Sequence, residues 1–310
     1  MMPDRVARPG EPGMPPIALP TTPGAQLLHE ETLDSLDELV QAFQVGLTRL
    51  DLPLRSIELE FGPSQMEITL AAADAALAAD AVVLLRTAIR QIARRHGYHA
   101  TFMSRPAGAQ SASAGWHLHQ SLRHLSTGLG AFTPEHAGEV LSATGRQYLA
   151  GLIAHASAAA AFATPTVNGY KRYQPLSLAP DRVLWGIDNK GAMVRAIGGV
   201  DNPDSRLENR AGEPAANPYL YIASQIISGL DGLERELDPG PATENPYQDA
   251  APRLPRSLAQ AIDALDADQT FRKALGDAVV DWYVAIKRAE FDRYLTYVSD
   301  WEQREYFGLL

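Results

Sequence analysis

The first third of the chain shows two different spacings of apolar positions. Between Leu36 and Leu47, apolar residues recur every three or four positions, which predicts a helix with one buried face. Residues 55–61, R-S-I-E-L-E-F, instead alternate between apolar and charged side chains, and M-E-I-T-L at 66–70 follows a G-P-S-Q turn sequence. These two segments predict a hairpin that carries glutamates on one face.

Longer elements are predicted in the rest of the chain. A helix over residues 72–96 is expected to end at Gly97, because glycine readily adopts the conformation that closes a helix. Thr133-Pro134 predicts the start of a helix that runs to Ala163, and Asn217-Pro218 predicts the start of another. Strands are predicted at residues 99–103, 116–122, 183–187, 192–197 and 205–210. Helical spacing in the last third is set by Phe271, Leu275, Val279, Trp282 and Ile286. The pattern favours an α+β fold, with an antiparallel sheet backed by long helices.

Composition sets the domain plan and excludes several functions. Residues 1–25 are rich in proline and glycine, which predicts a disordered or loosely packed leader before one domain at 26–310. The net charge of −10 argues against a general nucleic-acid binder. With no cysteines, thiolate metal sites and cysteine nucleophiles are excluded. The apolar run at 148–163 is too short to cross a bilayer. We therefore expect a cytoplasmic protein that binds neither membrane nor nucleic acid.

Glutamates in the hairpin are the first candidates for chemistry. With a simple register, Glu60 and Glu67 face each other on one side of the hairpin. Like charges directly opposite destabilise a sheet unless a cation lies between them, and Mg²⁺ prefers carboxylate oxygens. The alternative is a solvated hairpin face without a ligand, which is the usual meaning of charge on an alternating strand.

Two further segments carry histidine and arginine. His117 and His119 in W-H-L-H point the same way from one strand, as ligands or as ordinary polar packing groups. In S-R-L-E-N-R, Glu208 lies between Arg206 and Arg210, which favour its ionised form and can grip phosphate or carboxylate. Taken together, these groups predict a divalent metal that bridges anionic ligands, as in phosphoryl transfer.

These segments resemble a known family. E-F-G-P-S-Q-M-E, F-M-S-R-P, G-W-H-L-H-Q-S, N-G-Y-K-R-Y, E-N-R-A-G-E-P-A-A-N-P-Y-L and G-L-D-G-L-E-R-E-L-D-P-G occur in this order. Their combination is similar to the catalytic domain of bacterial glutamine synthetases, from about residue 26 to the C-terminus. The resemblance implies an ATP-dependent ligase, in which the γ-carboxyl of glutamate is phosphorylated and an amine then attacks the acyl phosphate.

The resemblance also implies roles for individual residues. Metal ligands, for Mg²⁺ or Mn²⁺, would be Glu60, Glu67, His117 and Glu208. ATP would contact His119, Ser121, Arg195 and Arg206. Glutamate would be held by Arg172 and Arg210, with Leu178 beside the amine. Arg172, Arg195 and Lys190 would serve catalysis.

Four departures from the family pattern change what is expected. The resemblance does not include the family's β-grasp N-terminal domain or its E-x-E metal-binding strand. Leu178 replaces a glutamate that completes an ammonium pocket, so an organic amine is the more suitable substrate. Lys190 replaces an arginine and loses its bidentate geometry. The loop before W-H-L-H reads S-A-S-A-G, without the family's usual glutamate-binding form.

Two functions therefore remain open from the sequence. The first is a γ-glutamyl ligase that uses glutamate, ATP and ammonia or, preferably, an organic amine. The second is an impaired homologue that binds nucleotide or serves as a partner subunit. We expect a homo-oligomer or an association with a full-length homologue in either case.

Overall fold

The computed structural model describes residues 19–106, 112–174 and 179–309, so Leu178 lies outside the described residues. The strands are β1 (Leu54–Leu59), β2 (Met66–Leu70), β3 (Leu118–Gln120), β4 (Trp185–Ile187), β5 (Val194–Ile197) and β6 (Arg206–Asn209). The first five helices are α1 (Glu30–Asp34), α2 (Asp37–Arg49), α3 (Ala75–Arg95), α4 (Ala143–Ala154) and α5 (Ala156–Ala163). The others are α6 (Pro218–Glu234), α7 (Leu258–Ala267), α8 (Gln269–Leu275), α9 (Asp277–Leu295) and α10 (Asp300–Tyr306).

The chain divides into two units, and the first contains residues 19–73 and 81–101. The predicted apolar stripe of α2 is confirmed, because Leu39, Phe43 and Leu47 are buried there. The helix predicted to end at Gly97 is also confirmed: α3 ends at Arg95, and Gly97 has a φ of +81°.

Residues 21–28, most of which the composition assigns to a loose leader, run along the predicted hairpin. The Ala25 amide donates to the Phe61 carbonyl at 2.8 Å, and the Leu28 amide donates to the Leu59 carbonyl at 3.1 Å. The Thr22 side chain accepts from the Ser64 amide at 2.8 Å. These bonds arise because the exposed edge of β1 offers unpaired backbone groups.

The second unit, residues 74–80, 102–106 and 113 onward, is built on a four-stranded sheet. Its strand order is β3-β6-β5-β4. β6 is antiparallel to both of its neighbours, but β4 pairs with β5 in parallel, so the sheet is mixed rather than antiparallel throughout. No strand forms at residues 99–103, where one was predicted. The segment leads instead into a loop, where the Ser104 hydroxyl donates to the Glu213 carboxylate of the second unit.

Helix α4 packs closely on α6. A side chain at Gly151 would meet the Ser228 carbonyl oxygen at 1.9 Å, so only glycine allows the two backbones to approach so closely. The single helix predicted over residues 133–163 was wrong. The chain first turns at Gly138, with a φ of +90°, and α4 begins only after Ser142, whose hydroxyl accepts from the Gly145 amide.

The C-terminal helices bury a different face from the one expected. Gly276, with a φ of +87°, separates α8 from α9. Phe271 of α8 is fully buried, but Trp282 is 65% exposed. The buried face of α9 consists instead of Val280, Tyr283 and Val284. Among the described residues, no helix is both long enough and apolar enough to cross a membrane.

A buried histidine marks the junction of α4 and α5. His155 Nδ1 lies 2.8 Å from Asp268, and its Nε2 lies 2.9 Å from Asp231. Both ring nitrogens can donate only in the protonated imidazole. The bond to Asp268, helped by the bond to Asp231, raises the pKa of His155 against the effect of burial. Burial opposes ionisation of the two aspartates, but their bonds to His155 bring the pKa of each below its usual value.

We therefore expect the free energy of unfolding to depend on the charge of His155. A raised folded-state pKa means that the stabilisation is complete below about pH 6.5 and is lost as the pH rises through the raised value. His155→Gln should lower the free energy of unfolding by about 3 kcal/mol at pH 6 and by less at pH 9. Urea denaturation at several pH values measures this difference. His136→Gln, at an exposed histidine, is the control. A difference that is constant from pH 6 to 9 would contradict a charged His155.

Candidate functional site

The central strand β6 places Glu208 between two other strands of the sheet. His119 of β3 and Arg195 of β5 are its direct cross-strand partners. The strand predicted at S-R-L-E-N-R forms over Arg206–Asn209, which places Arg206 and Glu208 on one face. Arg210, predicted on the same face, lies just beyond the end of β6. The three strands thus bring histidine, arginine and glutamate to one place.

Glu208 is buried and held by two arginines. Arg195 Nη1 lies 3.0 Å from Glu208 Oε2, and Arg210 Nη1 contacts Glu208 Oε1. Burial opposes ionisation, but Arg210 foremost, with Arg195 and the two histidines, keeps the pKa of Glu208 below its usual value. The carboxylate is therefore ionised at neutral pH. A buried charge of this kind persists only where such partners surround it.

Both histidines beside Glu208 are neutral. His117 Nδ1 lies 3.5 Å from Glu208 Oε1 and 3.4 Å from Arg210 Nη1. Burial, together with Arg210, lowers the pKa of His117 to about 3. His119 Nε2 lies 4.0 Å from Glu208 Oε1, and burial also lowers the pKa of His119, with Arg206 adding to it and Glu208 opposing it. Because a neutral imidazole keeps one lone pair, His117 can act as a ligand, whereas the lone pair of His119 accepts from Arg206.

Arginines exceed carboxylates around this site. Arg206 Nε donates to His119 Nδ1 at 3.2 Å, so Arg206 lies at the outer end of β6 beside the histidines. Arg195 also donates from Nε to Asp188 at 2.8 Å, which makes Asp188 a site residue that the sequence did not single out. Arg195 and Arg210 contact Glu208, Arg195 also contacts Asp188, and Arg206 adds a third guanidinium group beside His119. This excess of positive charge suits polyanionic ligands.

Arg172 forms the inner wall of the site. It is 2% exposed and donates to the backbone carbonyls of Ala211 at 3.0 Å and Gly212 at 2.6 Å. Much of its hydrogen-bonding capacity is therefore committed to the protein, which differs from the free carboxylate clamp implied by the family resemblance. A Cβ at Gly115 would meet Arg172 Nη2 at 2.7 Å and His117 Nε2 at 3.0 Å. Gly115 itself is exposed, and the absence of a side chain there lets both groups approach its backbone closely.

A chain of buried amides supports the sheet below Glu208. Tyr148 donates to Gln120 at 3.0 Å, and Gln120 donates to Gln225 at 3.5 Å. Gln225 accepts from Asn209 at 2.6 Å, and Asn209 accepts from the Ala211 amide at 2.9 Å. These bonds fix the end of β6 relative to β3. No sequence pattern predicts this network, because amides at these spacings have no distinctive signature.

The hairpin glutamates lie in the first unit, and the expected register was wrong. Glu67 pairs with Glu58, not with Glu60. The Glu60 amide donates to the Gln65 carbonyl at 2.9 Å, which places Glu60 and Glu67 diagonally on the hairpin. The turn after Glu60 thus contains residues 61–64, fewer than the six residues of the predicted register. Glu58 thus becomes the carboxylate directly across from Glu67.

The remaining predicted residues lie near the ends of the strands. Ser121 follows β3 and is exposed, and Lys190 is exposed in the turn between β4 and β5. Within the described ranges, no three His, Asp or Glu side chains are grouped to hold a metal ion. His117 and Glu208 nevertheless form a pair with suitable donors, a neutral imidazole and an ionised carboxylate.

The family model for the glutamine synthetase catalytic domain matches residues 16–306. The chain belongs to this family. A gamma-glutamylanilide synthase from Acinetobacter sp is 49% identical over 97% of this chain and 63% of its own length. A glutamine synthetase from Methanocaldococcus jannaschii is 34% identical over 89% of this chain and 62% of its own length.

Solved structures agree with this assignment. A GmaS–ADP complex superposes with a TM-score of 0.83 at 29% identity, over 98% of this chain and 70% of that chain. The α+β fold is thereby confirmed. The chain spans less than two thirds of the length of the two curated relatives named above.

A side chain at position 115 should impair ligand binding without unfolding the protein. In Gly115→Ala, the new methyl group must displace the Arg172 guanidinium, which is already fixed by backbone carbonyls. We expect the affinity for glutamate, the ligand that the family resemblance implies, to fall at least ~10-fold in titration calorimetry, since small displacements of binding groups have large effects. Gly308→Ala, where no atom lies within 4 Å, is the matched control. Unchanged affinity in a folded Gly115→Ala protein would show that Gly115 and the neighbouring Arg172 side chain are not part of the binding site.

Proposed function

We propose that this chain is the catalytic part of an ATP-dependent ligase that joins the γ-carboxyl group of glutamate to an organic amine. The observation that carries the proposal is the ionised Glu208 among arginines and neutral histidines on adjacent strands of a glutamine synthetase-type domain. The similarity to a gamma-glutamylanilide synthase favours an amine with an organic group over ammonia.

The reaction proceeds in two steps. A γ-carboxylate oxygen of glutamate attacks the terminal phosphorus of ATP, and ADP leaves. The nitrogen of the amine then attacks the acyl carbon, phosphate leaves, and the nitrogen loses a proton. Both steps place negative charge on phosphoryl and acyl oxygens. Preorganised guanidinium groups lower the barrier, because they already point at the place where this charge develops.

Each predicted residue has a role in this scheme. Arg206 and His119, at the outer end of β6, would face the phosphates of ATP, with Ser121 near the nucleotide. Arg195 would stabilise the phosphoryl group in transfer, and Lys190 would add positive charge from the neighbouring turn. Arg210 would bind a glutamate carboxylate, and Arg172 would fix the wall against which that carboxylate lies.

Divalent metal is part of the proposal. His117 and Glu208 would supply two donors of one Mg²⁺ or Mn²⁺ ion, and Glu60 and Glu67 would be ligands of another. Such ions, when bound, neutralise the phosphate oxygens and polarise the acyl group. The neutral state of His117 suits this use, because a protonated imidazole cannot coordinate a cation.

Location and assembly are further parts of the proposal. We expect the protein to act in the cytoplasm, where ATP and glutamate are available, as a homo-oligomer or together with a full-length homologue.

Phosphate release tests the ligase directly. Purified chain is incubated with Mg–ATP or Mn–ATP and glutamate, with and without a panel of amines that includes ammonia and aniline. We expect amine-dependent release, lowered at least ~100-fold by Glu208→Gln, because the substitution removes the charge that organises Arg195 and Arg210. Glu60→Gln should also abolish it. Glu234→Gln, at an exposed glutamate of α6, should leave the rate unchanged. Folded protein that binds nucleotide but releases no phosphate with any amine would instead support the partner-subunit function.

Leu178 provides a second test, of amine choice. Leu178→Glu should shift preference from aniline toward ammonia by at least ~10-fold in kcat/KM, since a carboxylate favours an ammonium ion and an apolar side chain favours an organic group. Competition between labelled ammonia and aniline measures the shift. Leu178→Met is the apolar control. Equal preference in all three proteins would exclude Leu178 from the amine pocket.

A further inference from the structure

Glu213 is a buried carboxylate outside the candidate site. It is 0% exposed. The Thr166 amide donates to its Oε1 at 3.0 Å, the Thr166 hydroxyl donates at 2.9 Å, and the Ser104 hydroxyl donates to its Oε2. Three chain segments of the second unit therefore meet at one side chain.

Glu213 also lies against the segment that carries Arg172. A Cβ at Gly169 would meet Glu213 Oε2 at 2.3 Å, so the carboxylate lies directly against this backbone. Gly169 begins the short 3₁₀ helix Gly169–Arg172, which ends at the buried arginine. The contact between Glu213 and the segment from Thr166 to Gly169 thus sets where this short helix starts.

The same segment returns to the residues just before Glu213. Arg172 donates to the carbonyls of Ala211 and Gly212, and the Ala211 carbonyl also accepts from Thr164 at 3.0 Å and from Tyr173 at 3.1 Å. The Glu213 amide donates to the Ala163 carbonyl at 2.9 Å. The two segments are therefore joined at both ends, by Glu213 at one end and by Arg172 at the other.

Charge adds to this arrangement. Burial lowers the pKa of Arg172, and the Tyr173 and Glu213 side chains oppose that effect. Burial raises the pKa of Glu213, and the hydrogen bonds from Ser104 and Thr166 together with the charge of Arg172 oppose this effect by favouring the ionised form. Ionised Glu213 is the carboxylate that compensates the buried guanidinium. A neutral residue at position 213 would leave Arg172 with less compensation in a site that already holds other arginines.

We propose that Glu213 is a positioning residue that holds the Arg172 guanidinium at the edge of the site, beside Gly115 and His117, and so sets the affinity for the carboxylate substrate. This inference rests on the proposed function for the identity of that substrate. Glu213 touches no substrate itself. Its effect should therefore appear in glutamate binding and be weak for ATP, whose proposed contacts lie at the outer end of β6.

Two variants test the proposal. Glu213→Gln keeps the shape of the side chain and removes its charge. Thr166→Val keeps the charge and removes the hydroxyl that donates to Glu213 and accepts from the Gly169 amide. We expect both to raise KM for glutamate at least ~10-fold with KM for Mg–ATP within about twofold, because only the glutamate side of the site is displaced. Glu234→Gln is the matched control. Circular dichroism and thermal melting show that each variant is folded.

A purely structural role predicts another result. It would lower the melting temperature and leave both KM values of the folded protein unchanged, which would overturn the proposal. Equal increases in the two KM values would overturn it as well, since Glu213 would then act on the whole site.

A measurement without turnover separates this proposal from the proposed function. The Arg172 Nε–Hε signal in a ¹H–¹⁵N spectrum of the full chain is assigned by its loss in Arg172→Lys. If the wild-type protein releases no phosphate, the ligase proposal fails, and this signal alone decides the role of Glu213. A shifted signal in both Glu213→Gln and Thr166→Val, but not in Glu234→Gln, supports positioning of Arg172. An unchanged signal overturns it.

Discussion

The ionised state of Glu208 is the constraint on which the site depends. A carboxylate that is 2% exposed is stable only if its desolvation is offset, and Arg195 and Arg210 provide that offset from β5 and from the end of β6. The same carboxylate prevents the arginines from repelling each other. Neutral histidines complete the arrangement without adding charge. Removal of Glu208 therefore disturbs every cation around it, which is why its role cannot be reduced to one contact.

Backbone geometry makes this arrangement rigid. Within the four-stranded sheet of the described residues, β6 alone pairs antiparallel with both of its neighbours. Its end is fixed by the hydrogen bond from Asn209 to Gln225. Beyond it, the carbonyls of residues 210–212 accept from Arg172. An arginine used in this way acts as part of the scaffold, because its planar group links several carbonyls at fixed angles. Arg172 thus binds backbone carbonyls, whereas Arg195 and Arg210 bind the Glu208 carboxylate.

Sequence patterns predicted the parts of this site that follow from alternation along a strand. His119, Arg206 and Glu208 could be placed on strands from their spacing, and α2 from its apolar stripe. His117 lies one residue before β3, which is shorter than the strand predicted at 116–122. The hairpin register could not be predicted, because the turn conformation decides whether Glu58 or Glu60 faces Glu67. The parallel pairing of β4 and β5 is also invisible to local patterns, since it depends on the path of the chain between strands.

Long-range contacts account for the other failures. Glu213 resembles any loop glutamate in the sequence, and only the folded chain brings Ser104 and Thr166 to it across more than forty residues. The role of Gly115 is likewise visible only in the folded chain, where the Arg172 side chain lies against its backbone. The break at His155 arises because Asp231 and Asp268 approach from other helices, and two carboxylates around an imidazole outweigh the tendency of an alanine-rich segment to continue as one helix.

The overall charge of the chain does not oppose the anionic ligands proposed for it. The net charge of −10 is spread over the whole sequence, and at physiological salt exposed charges are screened beyond roughly 8 Å. Around Glu208, by contrast, Arg195 and Arg210 both contact the same buried carboxylate, and Arg195 also contacts Asp188. These groups are partly desolvated, so salt screens their interactions only weakly. Local charge therefore decides what the site binds. An acidic chain with an arginine-rich site repels extended polyanions such as nucleic acids and still accepts a small anionic ligand that fits among its arginines, which suits the proposed ligase better than a protein that binds nucleic acid.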